Sequence, residues 1–161
     1  MPVSAASPIE GGCQCGEVRY RLVSEPIACY VCHCADCQRR TGSAFSTALI
    51  VPTEALEVTT GTPSPYFASL SGGRMKSGLH CTKCSTRLWG TNQHVPSIRV
   101  LQPGTLDEPR RFPPVAHVWT RSAMPWVVIP SRVATYRENA PFSEVVALWQ
   151  RSRDFPASNV S

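Results

Sequence analysis

Four cysteines lie within nine residues of the segment CYVCHCADC, at Cys29, Cys32, Cys34 and Cys37. Cysteine thiolates are good ligands for zinc, and cysteines spaced by one or two residues can hold one ion from a tight turn. Four ligands would close the metal shell and make the site structural, whereas three would leave one position open, as catalytic zinc sites do. The spacing alone leaves open whether Cys29 is the fourth ligand or a buried, inert thiol.

The other four cysteines form two pairs that are distant in the sequence, Cys13 with Cys15 and Cys81 with Cys84. Each pair supplies half of a tetrahedral shell, so together they can complete a closed, structural zinc site. Disulfides are the alternative interpretation. The N-terminal segment MPVSAASPIE has neither the basic start nor the apolar run of a secretory signal, so we expect a cytoplasmic protein. In that reducing compartment, cysteine pairs hold metal more often than they form disulfides.

The charge of the chain gives little indication of a macromolecular partner. The 161 residues carry a formal net charge of +5, which seven thiolates binding two zinc ions would lower to about +2. The basic residues are scattered rather than clustered, which argues against nucleic acid as a partner. No apolar run approaches the roughly 18 residues of a membrane-spanning helix, so we expect no membrane association.

Short apolar segments predict that strands position these cysteines. Val18, Tyr20 and Leu22 alternate with charged residues, which is typical of a half-buried strand. The segment AFSTALIV predicts a second strand that ends at Pro52, and later segments cut by glycine, proline and serine predict further short strands. The segment VAHVWTRSAMPWVVIP predicts a hairpin. We therefore predict a mainly β fold.

The sequence predicts one domain over residues 11–153, with a flexible leader at 1–10 and a tail at 154–161. Only the end of this domain has helical periodicity, because apolar residues follow Pro141 at the spacing of one helix face. These residues are Phe142, Val145, Val146 and Trp149. A short C-terminal helix is therefore expected to pack against the β domain.

Three motifs together, GGCQCGEVRY, CHCADCQRRTGSAF and GLHCTKCSTRLWG, resemble the glutathione-dependent formaldehyde-activating enzyme family, whose domain is shared with centromere protein V. The likeness extends from about Gly11 to about Pro130 and includes the segment HVWTRSAMPWVVI. It implies a small, largely antiparallel fold called a β-tent, with two zinc ions per chain. A structural zinc is implied at Cys13, Cys15, Cys81 and Cys84. A catalytic zinc is implied at Cys32, Cys34 and Cys37, with Cys29 outside the motif.

The resemblance also implies a reaction. A zinc ion with three thiolates is a weak Lewis acid, better suited to holding an incoming thiol as thiolate than to making hydroxide. The implied activity is that of a carbon–sulfur lyase, the S-hydroxymethylglutathione synthase type, in which glutathione adds reversibly to formaldehyde or a related aldehyde. The alternative is a two-zinc structural module, or one that binds nucleic acid or protein, without catalysis. A homodimer is compatible with either function.

Several residues outside the cysteine motifs are candidates for weaker roles. Arg39 and Arg40 follow Cys37 closely enough to meet a substrate carboxylate, or they simply face solvent. His33, between two candidate ligands, either shuttles a proton or points away from the metal. Three tryptophans are expected to pack in the core rather than to line a pocket. These are Trp89, Trp119 and Trp126. Two positions depart from the family pattern: Ser85 occupies a turn where glycine is usual, and His80 precedes Cys81 where an aromatic residue is often found.

Overall fold

The computed structural model describes residues 8–92 and 94–154, in which strands outnumber helices. The strands are β1 (Ile9–Gly12), β2 (Arg19–Leu22), β3 (Ala28–Cys32), β4 (Ser46–Pro52), β5 (Leu56–Thr60), β6 (Ser64–Ser69), β7 (Met75–His80), β8 (Arg87–Thr91), β9 (Ile98–Leu101), β10 (Ala116–Val118) and β11 (Ala134–Thr135). The helices are α1 (Ala35–Thr41) and α2 (Phe142–Asp154). This content confirms the predicted mainly β class and its short C-terminal helix.

The strands form two sheets. Three strands pair in the order β1-β2-β5, and eight pair in the order β11-β10-β3-β4-β9-β8-β7-β6. Most neighbouring strands run antiparallel, but β10 pairs in parallel with both β3 and β11. The strand β3 therefore lies inside the large sheet, between β10 and β4, and its C-terminal end carries Cys32.

Strand β2 confirms the predicted alternation. Val18, Tyr20 and Leu22 are buried, whereas Arg21 between them is exposed. The Tyr20 hydroxyl makes a hydrogen bond of 2.7 Å with Thr105 Oγ1, so the one polar group of this buried side chain has a partner. The small sheet thus contributes an apolar face to the core, as period-two patterning requires.

The predicted hairpin at VAHVWTRSAMPWVVIP is wrong. Its first half forms β10, but none of the described residues 119–130 lies in a strand. Trp119 has a φ of 57°, which turns the chain out of the sheet, and Val128 is 88% exposed. Strand β10 instead pairs in parallel with β3 on one side and with the later strand β11 on the other.

A second helix, α1, was not predicted, because only the C-terminal segment has helical periodicity. It is seven residues long and has no fully buried residue, so it lacks an apolar stripe that periodicity could reveal. Its ends are defined locally: the Cys34 side chain caps its N-terminus, and Gly42, with a φ of 64°, ends it in the left-handed conformation.

The C-terminal helix α2 packs against the domain as expected. Val145 and Trp149 are buried, and the Trp149 indole donates a hydrogen bond of 3.0 Å to the Pro26 carbonyl oxygen. The Trp149 ring also lies 6.1 Å from that of Phe112, centroid to centroid. Neither described helix has the length and apolarity that crossing a membrane demands.

The described elements extend slightly beyond the predicted domain limits of 11–153. Ile9 and Glu10, within the predicted leader 1–10, already belong to β1, and residues 1–7 lie outside the described part of the chain. At the other end α2 continues to Asp154, and the rest of the predicted tail is likewise outside the described residues.

Candidate functional site

The two distant cysteine pairs come together in space. The four sulfur atoms of Cys13, Cys15, Cys81 and Cys84 all lie within 4.8 Å of one another. Cys15 Sγ is 3.5 Å from Cys13 Sγ and 3.8 Å from Cys81 Sγ. Tetrahedral zinc with bonds of about 2.3 Å would separate its sulfur ligands by about 3.8 Å. These two separations are close to that value, so the four-cysteine cluster could hold a zinc ion.

Two tight turns present the four-cysteine cluster. One follows β1, and the other connects β7 to β8. In the second turn Ser85 has a φ of 62°, and its amide donates to the Cys81 carbonyl oxygen at 2.9 Å. Ser85 thus adopts the left-handed conformation that glycine usually supplies, at a modest cost. The two turns are linked by a hydrogen bond of 3.1 Å from the Gln14 amide to Thr86 Oγ1.

The second group consists of Cys32, Cys34 and Cys37, whose sulfur atoms also lie within 4.8 Å of one another. Cys32 ends β3, Cys34 caps α1 and Cys37 lies in its first turn. The Cys34 sulfur accepts a hydrogen bond of 3.4 Å from the Cys37 amide. A strand end followed at once by a helix therefore gathers three ligands without the chain wrapping fully around an ion.

The three cysteines of this cluster influence one another's protonation. The pKa of Cys37 is lowered to about 6 because the Cys32 thiol hydrogen-bonds to its sulfur. The same contact raises the pKa of Cys32, since its proton is held by the neighbouring thiolate and a second negative charge would lie close by. Three thiolates can share this space only around a positive ion, which fits the thiolate-rich donor set that zinc prefers.

Cys29 does not belong to either cluster. It is fully buried in the core, and burial alone raises the pKa of its thiol to about 12. Because side chains alternate along a strand, Cys29 faces the side of β3 opposite to Tyr30 and Cys32. The structure therefore favours the alternative in which Cys29 is a buried, inert thiol.

We expect Cys29→Ala to leave the metal content at two zinc ions per chain and to lower the free energy of unfolding by about 1 kcal/mol, as a small core truncation. Elemental analysis of the purified variant, together with urea unfolding, measures both quantities. The loss of one zinc equivalent would instead show that Cys29 closes the second metal shell.

A cavity of about 490 Å³ opens beside the three-cysteine cluster. Its wall includes all three of these cysteines, together with Tyr30 from β3 and Trp119 from the segment after β10. Burial raises the pKa of Tyr30 to about 12, so its phenol keeps its proton at neutral pH. The four-cysteine cluster has enough sulfur atoms to complete a tetrahedral shell, whereas the three-cysteine cluster has one fewer and lies beside space for a ligand.

Only some of the candidate residues chosen from the sequence line this cavity. Arg40 lines the cavity, whereas Arg39 is exposed and lies outside it. His33 is completely buried, and its Nε2 lies 2.9 Å from His117 Nδ1. His33 follows Cys32 directly but pairs with His117 and does not line the cavity, which argues against a role as proton shuttle.

The tryptophans differ from the expectation of core packing. Trp89 is buried as predicted, but Trp119 forms part of the cavity wall and Trp126 is 70% exposed. The Trp119 indole donates a hydrogen bond of 2.7 Å to Asn139 Oδ1, and Arg121 lies over its ring at 4.9 Å from the centroid. A polar partner thus holds this ring at the cavity rather than in the core.

Sequence reasoning missed the contribution of the β6–β7 turn to the cavity. Asp36 on α1 accepts hydrogen bonds from the Ser71 amide at 3.1 Å and from the Arg74 guanidinium at 3.0 Å. The Ser71 amide is the main reason that the pKa of Asp36 is lowered. These contacts hold the turn against α1 and bring Lys76, at the start of β7, to the cavity wall. Asp36 lies far from Ser71 and Arg74 in the sequence, so no local pattern of residues predicts this contact.

Three comparisons relate the chain to known proteins. A family model described as "Glutathione-dependent formaldehyde-activating enzyme" matches residues 8–122. A Halomonas elongata protein named "Putative glutathione-dependent formaldehyde-activating enzyme" is 29% identical over 129 residues, which cover 77% of this chain and 82% of the relative. A Rhodobacter sphaeroides protein of known crystal structure matches with a TM-score of 0.47 and 19% identity, over 61% of this chain and 87% of that one.

Proposed function

Because the chain belongs to the glutathione-dependent formaldehyde-activating enzyme family, we propose that it is a zinc-dependent enzyme of the carbon–sulfur lyase type. It binds a small thiol, in the first place glutathione, and promotes the reversible addition of that thiol to formaldehyde or a related aldehyde. The observation that carries the proposal is the three-cysteine cluster, which opens onto a cavity of about 490 Å³.

We assign one zinc ion to each cysteine cluster. Cys13, Cys15, Cys81 and Cys84 would hold a structural zinc, because four ligands leave no position for substrate. Cys32, Cys34 and Cys37 would hold the catalytic zinc. A zinc ion with three thiolate ligands supplies one open position that stabilises a further thiolate at neutral pH.

The reaction balances without a redox partner. The thiol proton is released, the sulfur forms a bond to the carbonyl carbon, and the carbonyl π pair moves to the oxygen, which then takes up a proton. Two residues that line the cavity can stabilise the negative charge that develops on the carbonyl oxygen. Tyr30 carries a phenolic proton that it can donate towards an oxygen in the cavity, and Arg40 supplies a positive charge. The indole of Trp119 adds an apolar surface that limits the access of water to the cavity.

The proposal includes a cytoplasmic location, a reducing compartment in which paired cysteines hold metal more often than they form disulfides. A homodimer remains a prediction that sedimentation analysis of the zinc-loaded protein can test. If the protein neither binds a thiol nor accelerates the reaction, the alternative function as a two-zinc structural or interaction module would replace the proposal.

Exchange spectroscopy tests the catalytic part of this proposal. The rate of exchange between free formaldehyde and S-hydroxymethylglutathione is measured by NMR with ¹³C-labelled formaldehyde, with and without the zinc-loaded protein. We expect an exchange rate above the spontaneous one that scales with protein concentration and is lost in Cys32→Ser. A rate equal to the spontaneous one would reject the enzyme and leave only thiol carriage.

A further inference from the structure

Strand β6 forms one edge of the eight-stranded sheet. It pairs with β7 on one side, and no described strand pairs with it on the other. An edge strand presents backbone N–H and C=O groups to which a further strand can add. The register between β6 and β7 determines which residues of β6 carry those groups.

The backbone groups of β6 alternate between β7 and the open edge. Just beyond β6, the Leu70 amide donates a hydrogen bond of 2.7 Å to the Arg74 carbonyl oxygen. Hydrogen-bonded and non-hydrogen-bonded pairs alternate along an antiparallel ladder, so Ala68 and Tyr66 direct their N–H and C=O groups towards β7. The residues between them direct these groups outwards: Pro65, Phe67 and Ser69.

The position of Pro65 agrees with this assignment. Proline has no N–H, so at an inward-facing position it would remove a bond of the ladder, whereas at an outward-facing one it does not. The open edge therefore presents two N–H groups, those of Phe67 and Ser69, and three C=O groups. None of these backbone groups has a hydrogen-bond partner among the described residues.

The side chains of this edge form an exposed apolar strip. Phe67 is 71% exposed, and Met75, which lies opposite Ser69 in β7, is 54% exposed. Both lie on the face of the sheet that carries Trp89, whose ring packs edge to face on that of Tyr20 in the small sheet. The small sheet thus covers this face at β8 and leaves it uncovered at β6.

We propose that β6 pairs with β6 of a second copy of this chain, antiparallel about a two-fold axis that passes through Phe67. In this register each Phe67 N–H donates to the C=O of the partner's Phe67, and each Ser69 N–H donates to the C=O of the partner's Pro65. All the outward N–H groups are then used, and the proline costs only one bond on each side. The two Phe67 rings meet on the uncovered face, where directly opposite aromatic side chains stabilise a strand pair.

The charge and the size of the edge favour a weak association between identical copies. No residue of β6 is charged, so like charges do not oppose self-pairing, and a charged peptide would find no opposite charge on the strand. The edge is about 20 Å long, and we expect it to bury less than the roughly 800 Å² per partner of a stable interface. We therefore expect a reversible dimer with a dissociation constant between about 1 μM and 1 mM.

Pairing at β6 leaves the cavity beside the three-cysteine cluster open. Lys76, which lines that cavity, lies opposite Ala68, so its side chain is on the face of the sheet opposite to Phe67. The inference therefore goes beyond the proposed function and does not depend on it. Variants that dissociate the dimer are expected to keep the zinc content and the glutathione affinity of the wild type, and a protein that binds no glutathione can still dimerise.

Sedimentation equilibrium of the zinc-loaded protein, from about 1 μM to about 1 mM, tests the interface. We expect the wild type to follow a monomer–dimer equilibrium in this range. Phe67→Lys places two positive charges next to each other at the two-fold axis and is expected to raise the dissociation constant by more than about 10-fold. Ser69→Pro removes an outward N–H that β7 does not use, and is expected to raise it by about 10-fold.

The matched control is Val128→Lys, which adds the same charge at another exposed apolar residue, in the segment after β10. It is expected to keep the wild-type dissociation constant, and circular dichroism and zinc content establish that each variant is folded. A wild type that stays monomeric throughout this range, or a dimer that Phe67→Lys and Ser69→Pro leave unchanged, would overturn the inference. Slow hydrogen exchange of the Phe67 amide in a monomer would also overturn it, because another segment of the same chain would then occupy the edge.

Discussion

Cys15→Ser is expected to remove one of the two zinc ions and to cause the largest loss of stability among the variants considered. Cys15 is exposed, so the substitution leaves no cavity in the core, and its effect isolates the loss of a metal ligand. Zinc binding to a structural site contributes directly to the free energy of folding. We expect a loss of about 3 kcal/mol or more, which lowers the midpoint of thermal unfolding by roughly 6–12 °C in a chain of this size.

The control for Cys15→Ser is Gln14→Ser, which introduces the same residue at an exposed position in the same turn. Only the Gln14 backbone makes the contact with Thr86, so this variant is expected to keep two zinc ions and the wild-type unfolding temperature. Elemental analysis and thermal unfolding by circular dichroism measure both variants. If Cys15→Ser retained two zinc ions and unfolded with the wild type, the structural zinc site would be refuted.

Cys34→Ser is expected to have the largest effect on thiol binding. Serine is a good N-cap, so it can replace the Cys34 sulfur in accepting the Cys37 amide while removing a metal ligand. We expect the zinc content to fall from two ions to one, and the affinity for glutathione to fall by more than about 100-fold, since even supporting residues of metal sites cost 10–100-fold. The four-cysteine cluster should keep the fold intact.

Calorimetric titration of glutathione and elemental analysis measure this prediction, with Cys29→Ala as the matched cysteine control. Cys29 lies only five residues from Cys34 but faces the core, so its variant should bind glutathione as the wild type does. Wild-type glutathione affinity in Cys34→Ser would place the thiol site elsewhere in the molecule. Unfolding of Cys34→Ser would show that the three-cysteine cluster has a structural role.

Each cysteine pair and the cysteine triplet could be predicted from the sequence as a possible chelating unit, because each depends on short-range spacing. Two residues between Cys81 and Cys84 fix a chelating turn whatever the rest of the fold does. Strand β2 could also be predicted from a local pattern. The alternation of Val18, Tyr20 and Leu22 with charged residues determines which face is buried. The three cysteine motifs, in their order and spacing, are also specific enough to indicate the family.

The role of Cys29 could not be settled from spacing, because four cysteines in nine residues fit one metal shell as easily as three. Strand β3 favours the inert thiol, since Cys29 and Cys32 face opposite sides of the sheet. Helix α1 could not be predicted either. Its seven residues have no apolar stripe, and its N-cap is a cysteine rather than a usual capping residue.

The cavity wall depends on tertiary contacts that no local pattern reveals. Lys76 lines the cavity because β7 pairs with β8, where Gly90 leaves room for its stem. Arg39 and Arg40 look equivalent in the sequence, but the turn of α1 directs Arg40 alone into the cavity. Long-range packing thus determines which residues line the cavity, whereas local spacing determines how Cys32, Cys34 and Cys37 are grouped.

The central claim is that the three-cysteine cluster holds a metal with one position open to a substrate thiol. Calorimetric titration of the two-zinc protein with glutathione, and with S-methylglutathione, whose sulfur cannot become a thiolate, tests it most directly. We predict that glutathione binds with one site per chain and that S-methylglutathione binds at least about 10-fold more weakly. Equal binding of the two ligands, or binding of neither, would contradict the claim.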